Sequence, residues 1–471
     1  MGTPSRRQLV GWWSTWAFVQ LLLVTLPTWL RARGFGFSNY DLGIYSQALA
    51  RLAVDPPNPW LSGRQIHLFN DHFDPVLFLV APFAKFFPAV QVGLFVEGLC
   101  ALLALWPLAW LAREGKVSLR ALWMFGGVLT LHPGVTNGLG FPFHPTVWAM
   151  APMAWLLAAL LLERWRIALF ALVLLLACKE EFPFVGLALS PFVFLKAPRR
   201  LAWAFVSISG AWGLFALVLR PRLLGDVMPY ASLPFRGLEE GLGAFFSARL
   251  SRGALASMGD LIVSFVPLLL WLGWERWKKR APLPLGLFAA LVPMLGIRFL
   301  SVAWRDHYGA VVIAAAVLAF ATIVQTRVVP WVVVISTLLL VLINDESLIR
   351  RDVKSFTGAQ GWAASTGCPD APGRTDAIRS ALERVRAVKG PLFVSGNLRP
   401  WLAERGDVYA FGGPQPDSIT PRVVVIEVPP CGDTWARSLE ERQALFAGWK
   451  TRSDLQVLID DTFVFAAAST D

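Results

Sequence analysis

The chain has 471 residues, of which 55% are hydrophobic and only 16% are charged. Its mean hydropathy of +0.54 exceeds what the core of a water-soluble protein can bury, so the composition excludes an ordinary soluble enzyme and indicates a polytopic membrane protein. The formal net charge of +11 does not indicate nucleic-acid binding, because the basic residues cluster in short runs between apolar segments, as positive-inside topology requires.

The N-terminal segment is predicted to be an uncleaved first membrane helix. Its apolar run is long enough to span a bilayer, and the sequence RARGFGF that follows offers no small-x-small cleavage site. Arg6 and Arg7 would hold the N-terminus in the cytoplasm. About eleven spans are predicted in all, at 9–30, 91–111, 118–133, 145–162, 166–178, 182–196, 201–220, 259–274, 283–300, 308–325 and 328–344.

The segment 74–87 is apolar but short, carries Lys85 and is bounded by Pro75 and Pro88. It is either a twelfth span or a helix that lies at the membrane interface. The distribution of basic residues favours the interfacial helix, because only with that topology do the basic loops all fall on the cytoplasmic side with the N-terminus. Nearly all the unusual polar residues, including the five His residues, then fall on the external face. This segregation predicts a site at the external membrane boundary.

Beyond residue 344 the charge rises and the apolar runs shorten, which predicts a small external α/β domain at 345–471. Helices are predicted at RTDAIRSALERVRAV and SLEERQALFAGW, and strands at GPLFVSG, RVVVIEV and LQVLIDDTFVFAAA. An external compartment permits a disulfide between Cys368 and Cys431, although their spacing alone does not establish the pair. The transmembrane domain would occupy 1–344, with a functional first external loop at 31–90.

Asp41 stands in the stretch GFGFSNYDLGIYSQALARL, just beyond the first predicted span. Ser38 and Asp41 have capping-box spacing before a helical pattern, so Asp41 can be a residue that only complements a helix N-terminus. Alternatively, this loop folds as a helix against the membrane face and presents Asp41 to a cavity as a general base. The residues alone support both interpretations equally.

The sequence HLFNDHFDP places His67, Asp71, His72 and Asp74 within a few residues of one another. This density suits a divalent cation or a phosphate, but it lacks a recognised metal spacing such as H-E-x-x-H. The alternative is an interfacial loop in which Asp71 or Asp74 caps a helix. His144, in FPFHP, follows a glycine-containing loop between two predicted spans.

Lys179, Glu180 and Glu181, in CKEEFPF, stand between two apolar segments and therefore at the membrane boundary. Charges are costly there, which favours a functional role over a polar turn in a helical hairpin. In WRDHYG, Arg305 can bind a phosphate bidentately beside His307 and Tyr308, or it can form a local surface pair with Asp306.

With these motifs in order, the chain resembles the domain of unknown function 2079 family of bacterial predicted multi-pass membrane proteins. The resemblance depends on NYDLGIYSQAL, HFDPVLFLVAPF, FPFHP, ACKEE and RDHYGAVVIAA, and extends into GPLFVSGNLRPWLAERGDVYAFGG. That family is similar to the GT-C superfamily of polyprenyl-phosphate-dependent glycosyltransferases. The resemblance implies a catalytic acid in the first external loop, where Asp41 lies, and a lipid-phosphate sugar donor at the outer leaflet. No adjacent acidic pair, the commoner superfamily signature, follows Asp41.

The sequence therefore predicts an all-α polytopic membrane bundle, GT-C-like, with a small C-terminal α/β extracytoplasmic domain, in the bacterial inner membrane. The predicted partners are a polyprenyl-phosphate sugar donor and a lipid, glycan or protein acceptor, with no nucleic acid. The competing interpretations are a multi-pass transporter or lipid flippase, and a non-enzymatic scaffold. The sequence does not decide whether the protein binds a divalent cation, for which His72 and Asp74 are the candidate ligands. Asp41 is the predicted catalytic residue, and the predicted substrate-binding residues are Tyr45, Gln47, His67, His72, His144, Lys179, Glu180, Glu181, Arg305, His307 and Tyr308.

Overall fold

The computed structural model describes residues 3–37, 40–56, 58–141, 143–224, 238–251, 286–301, 307–321, 371–411, 419–429 and 438–470. The chain begins with α1 (Arg6–Gln20), which passes through one π-helical turn (Leu21–Thr25) into α2 (Leu26–Arg33) and so forms one long helix. Ser5 caps this helix. Its hydroxyl accepts a hydrogen bond from the backbone N–H of Gln8, whose side chain accepts one from the N–H of Ser5.

The first loop is largely ordered into short elements. They are α3 (Tyr40–Val54), the antiparallel strands β1 (Trp60–Leu61) and β2 (Ile66–His67), α4 (Leu68–Asp71), α5 (Leu77–Val80) and a 3-10 helix (Ala81–Lys85). The segment 74–87 therefore contains two short helices of four and five residues rather than one helix of span length. Phe83, Phe86 and Phe87 are exposed, and exposed aromatic residues suit a membrane interface.

The rest of the bundle consists of helices joined by short turns. A second π-helical turn (Phe215–Leu219) joins the helices Arg199–Leu214 and Arg220–Leu224 into one long helix. A 3-10 turn (Phe288–Ala290) precedes another helix. In chain order the helices are α6 (Ala89–Arg113), α7 (Leu119–Leu131), α8 (Pro133–Leu139), α9 (Pro145–Trp148), α10 (Met150–Leu161), α11 (Trp165–Leu176), α12 (Pro183–Lys196), α13 (Arg199–Leu214), α14 (Arg220–Leu224), α15 (Leu242–Arg249), α16 (Leu291–Ser301) and α17 (His307–Ala321).

Three helices in the described ranges are long and apolar enough to cross a membrane, at Arg6–Arg33, Ala89–Arg113 and Arg199–Leu224. They correspond to three of the predicted spans. Six further predicted spans form shorter apolar helices, at Leu119–Leu131, Pro145–Leu161, Trp165–Leu176, Pro183–Lys196, Phe288–Ser301 and His307–Ala321. The predicted spans 259–274 and 328–344 lie outside the described residues, so the predicted number of about eleven remains a prediction.

The centre of the bundle is formed by α10 and α17. α17 is buried along almost its whole length and packs against α8 and α10, as expected for a helix that is apolar on every side. At Gly309 a Cβ atom would lie 2.8 Å from the backbone oxygen of Gly134, so this close approach of α17 to α8 requires a glycine. The N-terminus of α17, which carries His307 and Tyr308, is thereby fixed against the rest of the bundle.

The C-terminal part of the chain forms a mixed five-stranded sheet in the order β4-β3-β5-β7-β6. β3 runs parallel to β4 and β5, whereas β7 runs antiparallel to β5 and β6. The sequence predicted strands at the positions of β3 and β5 and in the run LQVLIDDTFVFAAA, which the structure divides into β6 and β7, whereas β4 was not predicted. Their bounds are β3 (Leu392–Val394), β4 (Val408–Ala410), β5 (Val423–Glu427), β6 (Leu455–Asp460) and β7 (Val464–Ser469).

A helix covers each face of this sheet, and both helices lie where the sequence predicted helices. α18 (Arg374–Arg386) buries Ile378 and Val385 against one face, and α19 (Leu439–Lys450) places Phe446 and Trp449 against the other. The segment between β3 and β4 is a 3-10 helix (Gly396–Leu402). The predicted pair Cys368 and Cys431 lies outside the described residues.

The sheet domain contacts the first loop through buried polar groups. Arg374 donates to the backbone oxygen of Gly34 at 2.8 Å, and the side-chain amide of Asn397 donates to that of Phe35 at 2.9 Å. The amide of Gln47, on α3, donates to the backbone oxygen of Arg405 at 3.0 Å. The sheet domain therefore holds the face of α3 that carries Gln47.

Candidate functional site

α3 presents Asp41 and Tyr45 on one face, because residues four apart on a helix lie one above the other. Asp41 is partly buried in the first turn. Burial raises its pKa above the ordinary value of 3.8, and the nearby charges of His72 and Lys179 only partly oppose this. The predicted N-cap, Ser38, lies outside the described residues. The structure thus places a carboxyl group with raised proton affinity beside cationic side chains.

The loop that follows β2 brings His72 and Asp74 against α3. The hydroxyl of Tyr45 donates to Oδ2 of Asp74 at 2.7 Å, and the Tyr45 ring is stacked on His72 with ring centroids 5.9 Å apart. Asp74 is fully buried, and this burial raises its pKa to about 6, even though Lys179 acts to lower it. Next to this pair, Arg64 donates to Asp71 at 2.6 Å.

The turn between α11 and α12 supplies Lys179 and Glu180. Glu180 accepts a hydrogen bond from the N–H of Phe73 at 3.0 Å, and its other oxygen lies 3.9 Å from Nδ1 of His72. Burial alone would raise the pKa of Glu180, but the nearby His72 ring, the charge of Lys179 and the hydrogen bond from the N–H of Phe73 hold it below its ordinary value. The carboxylate therefore stays ionised and anchors the turn to the loop that carries His72.

Lys179 is buried, and within the described part of the chain its ammonium has no hydrogen-bond partner. Burial would lower its pKa, but the neighbouring Tyr308, Glu180 and Asp74 raise it above the ordinary value. The ammonium lies 5.7 Å from the centroid of the Tyr308 ring. A buried cation without a hydrogen-bonding partner is costly, and it is a group that an anionic ligand would satisfy.

His144 and His307 form a stacked pair beside α3. Their ring centroids are 3.9 Å apart with an interplanar angle of 10°, and the Tyr45 ring lies 4.7 Å from His144. The backbone N–H of His144 donates to Oε2 of Glu97 at 2.9 Å. Both ring nitrogens of His307 are buried without a hydrogen-bond partner among the described residues. This pair joins α17 and the start of α9 to the acid on α3.

Arg298, on α16, was not predicted from the sequence. It forms an ion pair with Glu181, and its guanidinium carbon lies 3.7 Å from the Tyr308 ring centroid. Glu97, within α6, was also missed. Both are charged residues inside apolar segments, Arg298 in LGIRFLS and Glu97 in LFVEGLC. A charge inside an apolar segment is the sequence signal that predicts a functional residue at such a position.

Most of the predicted site residues meet in one cluster, which we call the Asp41 cluster. Gln47 lies elsewhere, on the opposite face of α3, where it bonds Ser62 and accepts from Arg399 at 3.2 Å. The ring of His67 packs edge-on against Trp60. Arg305 lies outside the described residues. The Asp41 cluster consists of Asp41, Tyr45, His72, Asp74, His144, Lys179, Glu180, Glu181, Arg298, His307 and Tyr308.

The candidate metal ligands in this cluster are Asp41, His144 and His307, whose ligand atoms lie within 4.8 Å of one another. However, Nδ1 of His144 accepts a hydrogen bond from the N–H of Thr146 at 3.2 Å, so the neutral ring carries its proton on Nε2 and has no lone pair there. The parallel stacking of the two rings also prevents their in-plane lone pairs from converging on one ion. The arrangement fits hydrogen bonding better than metal coordination. A cation on His72 and Asp74 stays a prediction.

Comparison with known proteins gives a family and a fold. The family described as "Predicted membrane protein (DUF2079)" matches residues 34–451. The structure of ArnT from Cupriavidus metallidurans bound to undecaprenyl phosphate is similar in fold, with a TM-score of 0.56 and 12% sequence identity over 97% of this chain and 98% of that chain. No curated protein of similar sequence was found. The expected GT-C-like, mainly helical architecture with a small C-terminal sheet is confirmed at the level of the fold.

Proposed function

Because the chain belongs to the DUF2079 family of predicted membrane proteins, has an ArnT-like fold and places the buried Asp74, Lys179 and Glu180 around Asp41, we propose that it is a membrane glycosyltransferase. It would transfer a hexosyl or pentosyl group from a polyprenyl-phosphate donor to a lipid, glycan or protein acceptor at the outer face of the bacterial inner membrane. One observation carries the proposal. A carboxyl group of raised proton affinity lies beside a buried ammonium that lacks a hydrogen-bond partner among the described residues.

Asp41 would act as the general base. It takes the proton of the acceptor hydroxyl as the hydroxyl oxygen attacks the anomeric carbon of the donor sugar. The bond between the anomeric carbon and the phosphate oxygen breaks, and the polyprenyl phosphate leaves with the electron pair. A raised pKa suits this task, because a base that binds protons more readily near the working pH is more effective.

Lys179 would bind the phosphate of the donor. Its ammonium is the described cation of the Asp41 cluster that has no hydrogen-bonding partner, and a phosphate oxygen would supply the missing acceptor. The negative charge on the leaving phosphate grows as the glycosidic bond breaks, so a fixed ammonium stabilises the transition state more than the ground state. Arg298, across the Tyr308 ring, adds positive potential while its own charge is balanced by Glu181. Arg305 and His72 remain predicted contributors. The structural relative ArnT is bound to undecaprenyl phosphate, which supports this ligand class.

A transporter or flippase is the less favoured function. Its substrate pathway needs polar groups near the bilayer midplane. The Asp41 cluster instead combines residues from the first loop, the turn after α11 and the beginning of α17, which all lie on the predicted external side.

The experiment compares Lys179→Met with Lys196→Met in purified protein. Lys196 is exposed at the end of α12, so its replacement removes the same charge without touching the Asp41 cluster. We expect Lys179→Met to weaken the binding of polyprenyl phosphate by about tenfold or more, the equivalent of one charge-assisted hydrogen bond. Lys196→Met should bind as the wild type does. Equal binding by all three proteins would refute the phosphate site, and wild-type protein that transfers no sugar from any of a panel of polyprenyl-phosphate donors would refute the activity.

A further inference from the structure

A cavity of about 560 Å³ lies between the beginning of α1 and the end of α6. It is at the opposite end of these helices from the Asp41 cluster, because α2 ends and α6 begins next to the first loop. On α6 the Asp41 cluster is met at Glu97, which accepts from His144, and Arg113 of the cavity lies 16 residues further along the helix, about 24 Å along its axis. The proposed glycosyl transfer does not use this cavity.

Two arginines give the cavity its charge. Arg6 and Arg113 both line it, and its lining contains no acidic residue. Both side chains belong to exposed residues, and neither forms an ion pair within the described ranges. Glu114 follows Arg113 along the chain but does not line the cavity. The cavity therefore presents two guanidinium groups whose charge is not balanced locally, and its electrostatic complement is an anion.

Three tryptophans also line the cavity. Trp13 and Trp106 meet edge to face, with centroids 6.1 Å apart, and Trp110 lies beside them. The indole nitrogen of Trp13 is buried and has no hydrogen-bond acceptor among the described residues. Because Trp13 also lines the cavity, a ligand oxygen that reaches this N–H would supply its missing acceptor and a third point of attachment.

The remaining lining is apolar and includes Leu9, Val10 and Ala109. The cavity thus offers cationic, aromatic and apolar contacts together, as a membrane interface does. A free inorganic anion would make use of the arginines but not of these apolar residues, which we call the apolar floor. A lipid would use both.

We propose that this cavity, the Arg6–Arg113 cavity, binds the phosphodiester headgroup of an anionic glycerophospholipid. The two guanidinium groups contact the phosphate, the Trp13 N–H donates to a headgroup oxygen, and the first methylene groups of the acyl chains lie against the apolar floor. Basic pockets between membrane helices on the cytoplasmic side bind anionic lipids in this way, and the basic N-terminus predicts the cytoplasmic leaflet.

The test measures how much phosphatidylglycerol stays bound to the full-length protein after detergent purification, by native mass spectrometry with phosphatidylcholine as the competing lipid. The double variant Arg6→Gln/Arg113→Gln should weaken phosphatidylglycerol binding by about 30-fold, roughly fivefold for each arginine. Arg7→Gln is the matched control, because Arg7 is exposed, adjacent in sequence and not part of the lining. It should bind as the wild type does.

Trp13→Phe keeps an aromatic wall and removes the N–H, so it should weaken binding by a smaller factor of about two to five. The proposal is overturned if the double variant retains phosphatidylglycerol as the wild type does, if Arg7→Gln loses as much lipid as the double variant, or if phosphatidylcholine binds equally well. Displacement of the lipid by millimolar inorganic phosphate would also overturn it, because it would show that the apolar floor contributes nothing. None of these outcomes depends on sugar transfer.

Discussion

Asp41→Asn separates a catalytic Asp41 from a structural one. The amide has nearly the same size as the carboxyl group and still accepts a hydrogen bond, but it cannot take a proton from an acceptor hydroxyl. Asp41 is partly buried, and burial already raises its pKa, so the folded protein tolerates its charged form poorly. A neutral amide at this position should therefore preserve the fold.

The expected magnitudes follow from these surroundings. A positioned general base contributes about 100-fold to 10,000-fold in rate, so turnover should fall by about 100-fold or more, which corresponds to about 2.7 kcal/mol of transition-state stabilisation. The free energy of unfolding should change by no more than about 1 kcal/mol. The attraction between Asp41 and the His72 and Lys179 charges is lost, but the cost of burying a carboxylate is removed as well.

The assay measures sugar transfer from a productive polyprenyl-phosphate donor as a function of pH, together with the melting temperature. In the wild type the rate should rise with pH through a value above 3.8, because Asp41 acts as a base only when it is deprotonated and its pKa is raised. This limb of the pH profile should be absent in Asp41→Asn. Asp55→Asn is the matched control, since Asp55 is exposed, pairs at the surface with Arg51 at 3.5 Å and accepts a hydrogen bond from the Asn58 side chain at 3.1 Å, away from the Asp41 cluster.

Wild-type turnover by Asp41→Asn on any productive donor would show that Asp41 is not the general base. A melting temperature that falls sharply while the remaining folded protein keeps its activity would assign Asp41 a structural role, as a residue that complements the N-terminus of α3. In either case Glu180 would become the next candidate base.

Three further predictions use other parts of the structure. The pKa of Asp74 is raised to about 6 in the folded protein, so its contribution to stability is present below pH 3.8 and lost as the pH rises through 6. Asp74→Asn should therefore become more stable relative to the wild type as the pH rises from 4 to 7, by at most about 3 kcal/mol in free energy of unfolding. A difference in melting temperature between the two proteins that does not change over this pH range would contradict the prediction. Arg298→Met should destabilise the protein by up to about 3 kcal/mol, because it leaves the largely inaccessible Glu181 carboxylate, 12% exposed, without its ion-pair partner. The added change Glu181→Gln should recover part of this loss in a double-mutant cycle of melting curves. Reporter fusions after Arg7 and after Lys354 should report cytoplasm and exterior respectively, and a cytoplasmic signal after Lys354 would invert the predicted topology.

The secondary structure of the bundle is predictable because an apolar run is a local property of the sequence. The runs at 91–111 and 201–220 became Ala89–Arg113 and Arg199–Leu224, with ends moved by only two to four residues. The strands and helices of the C-terminal sheet domain can likewise be predicted from the local periodicity of apolar residues. β4 was missed because three residues, Val408–Ala410, are too few to show a strand pattern, and only their pairing with β3 makes them a strand.

The candidate site was predictable only in part. The sequence identified charges at membrane boundaries, such as Asp41 and Lys179, because a charge is costly there whatever its neighbours are. It did not identify the neighbours. Arg305 was chosen for its motif, whereas Arg298, inside an apolar run, is the described arginine at the Tyr308 ring. Gln47 was predicted to bind substrate, but it lies on the opposite face of α3, where its side chain is hydrogen-bonded to Arg405 and Arg399 of the sheet domain.

Local sequence is enough to show which segments are apolar, where charges interrupt them, and that a helix begins near Asp41. The meeting of Asp41, His144 and His307 within 4.8 Å is visible only in the folded protein. These residues lie more than 100 positions apart in the chain, on α3, before α9 and on α17. Burial and helix formation follow from each residue and its near neighbours, whereas a site depends on how separate helices pack, and close packing fixes those distances only when the whole bundle is assembled.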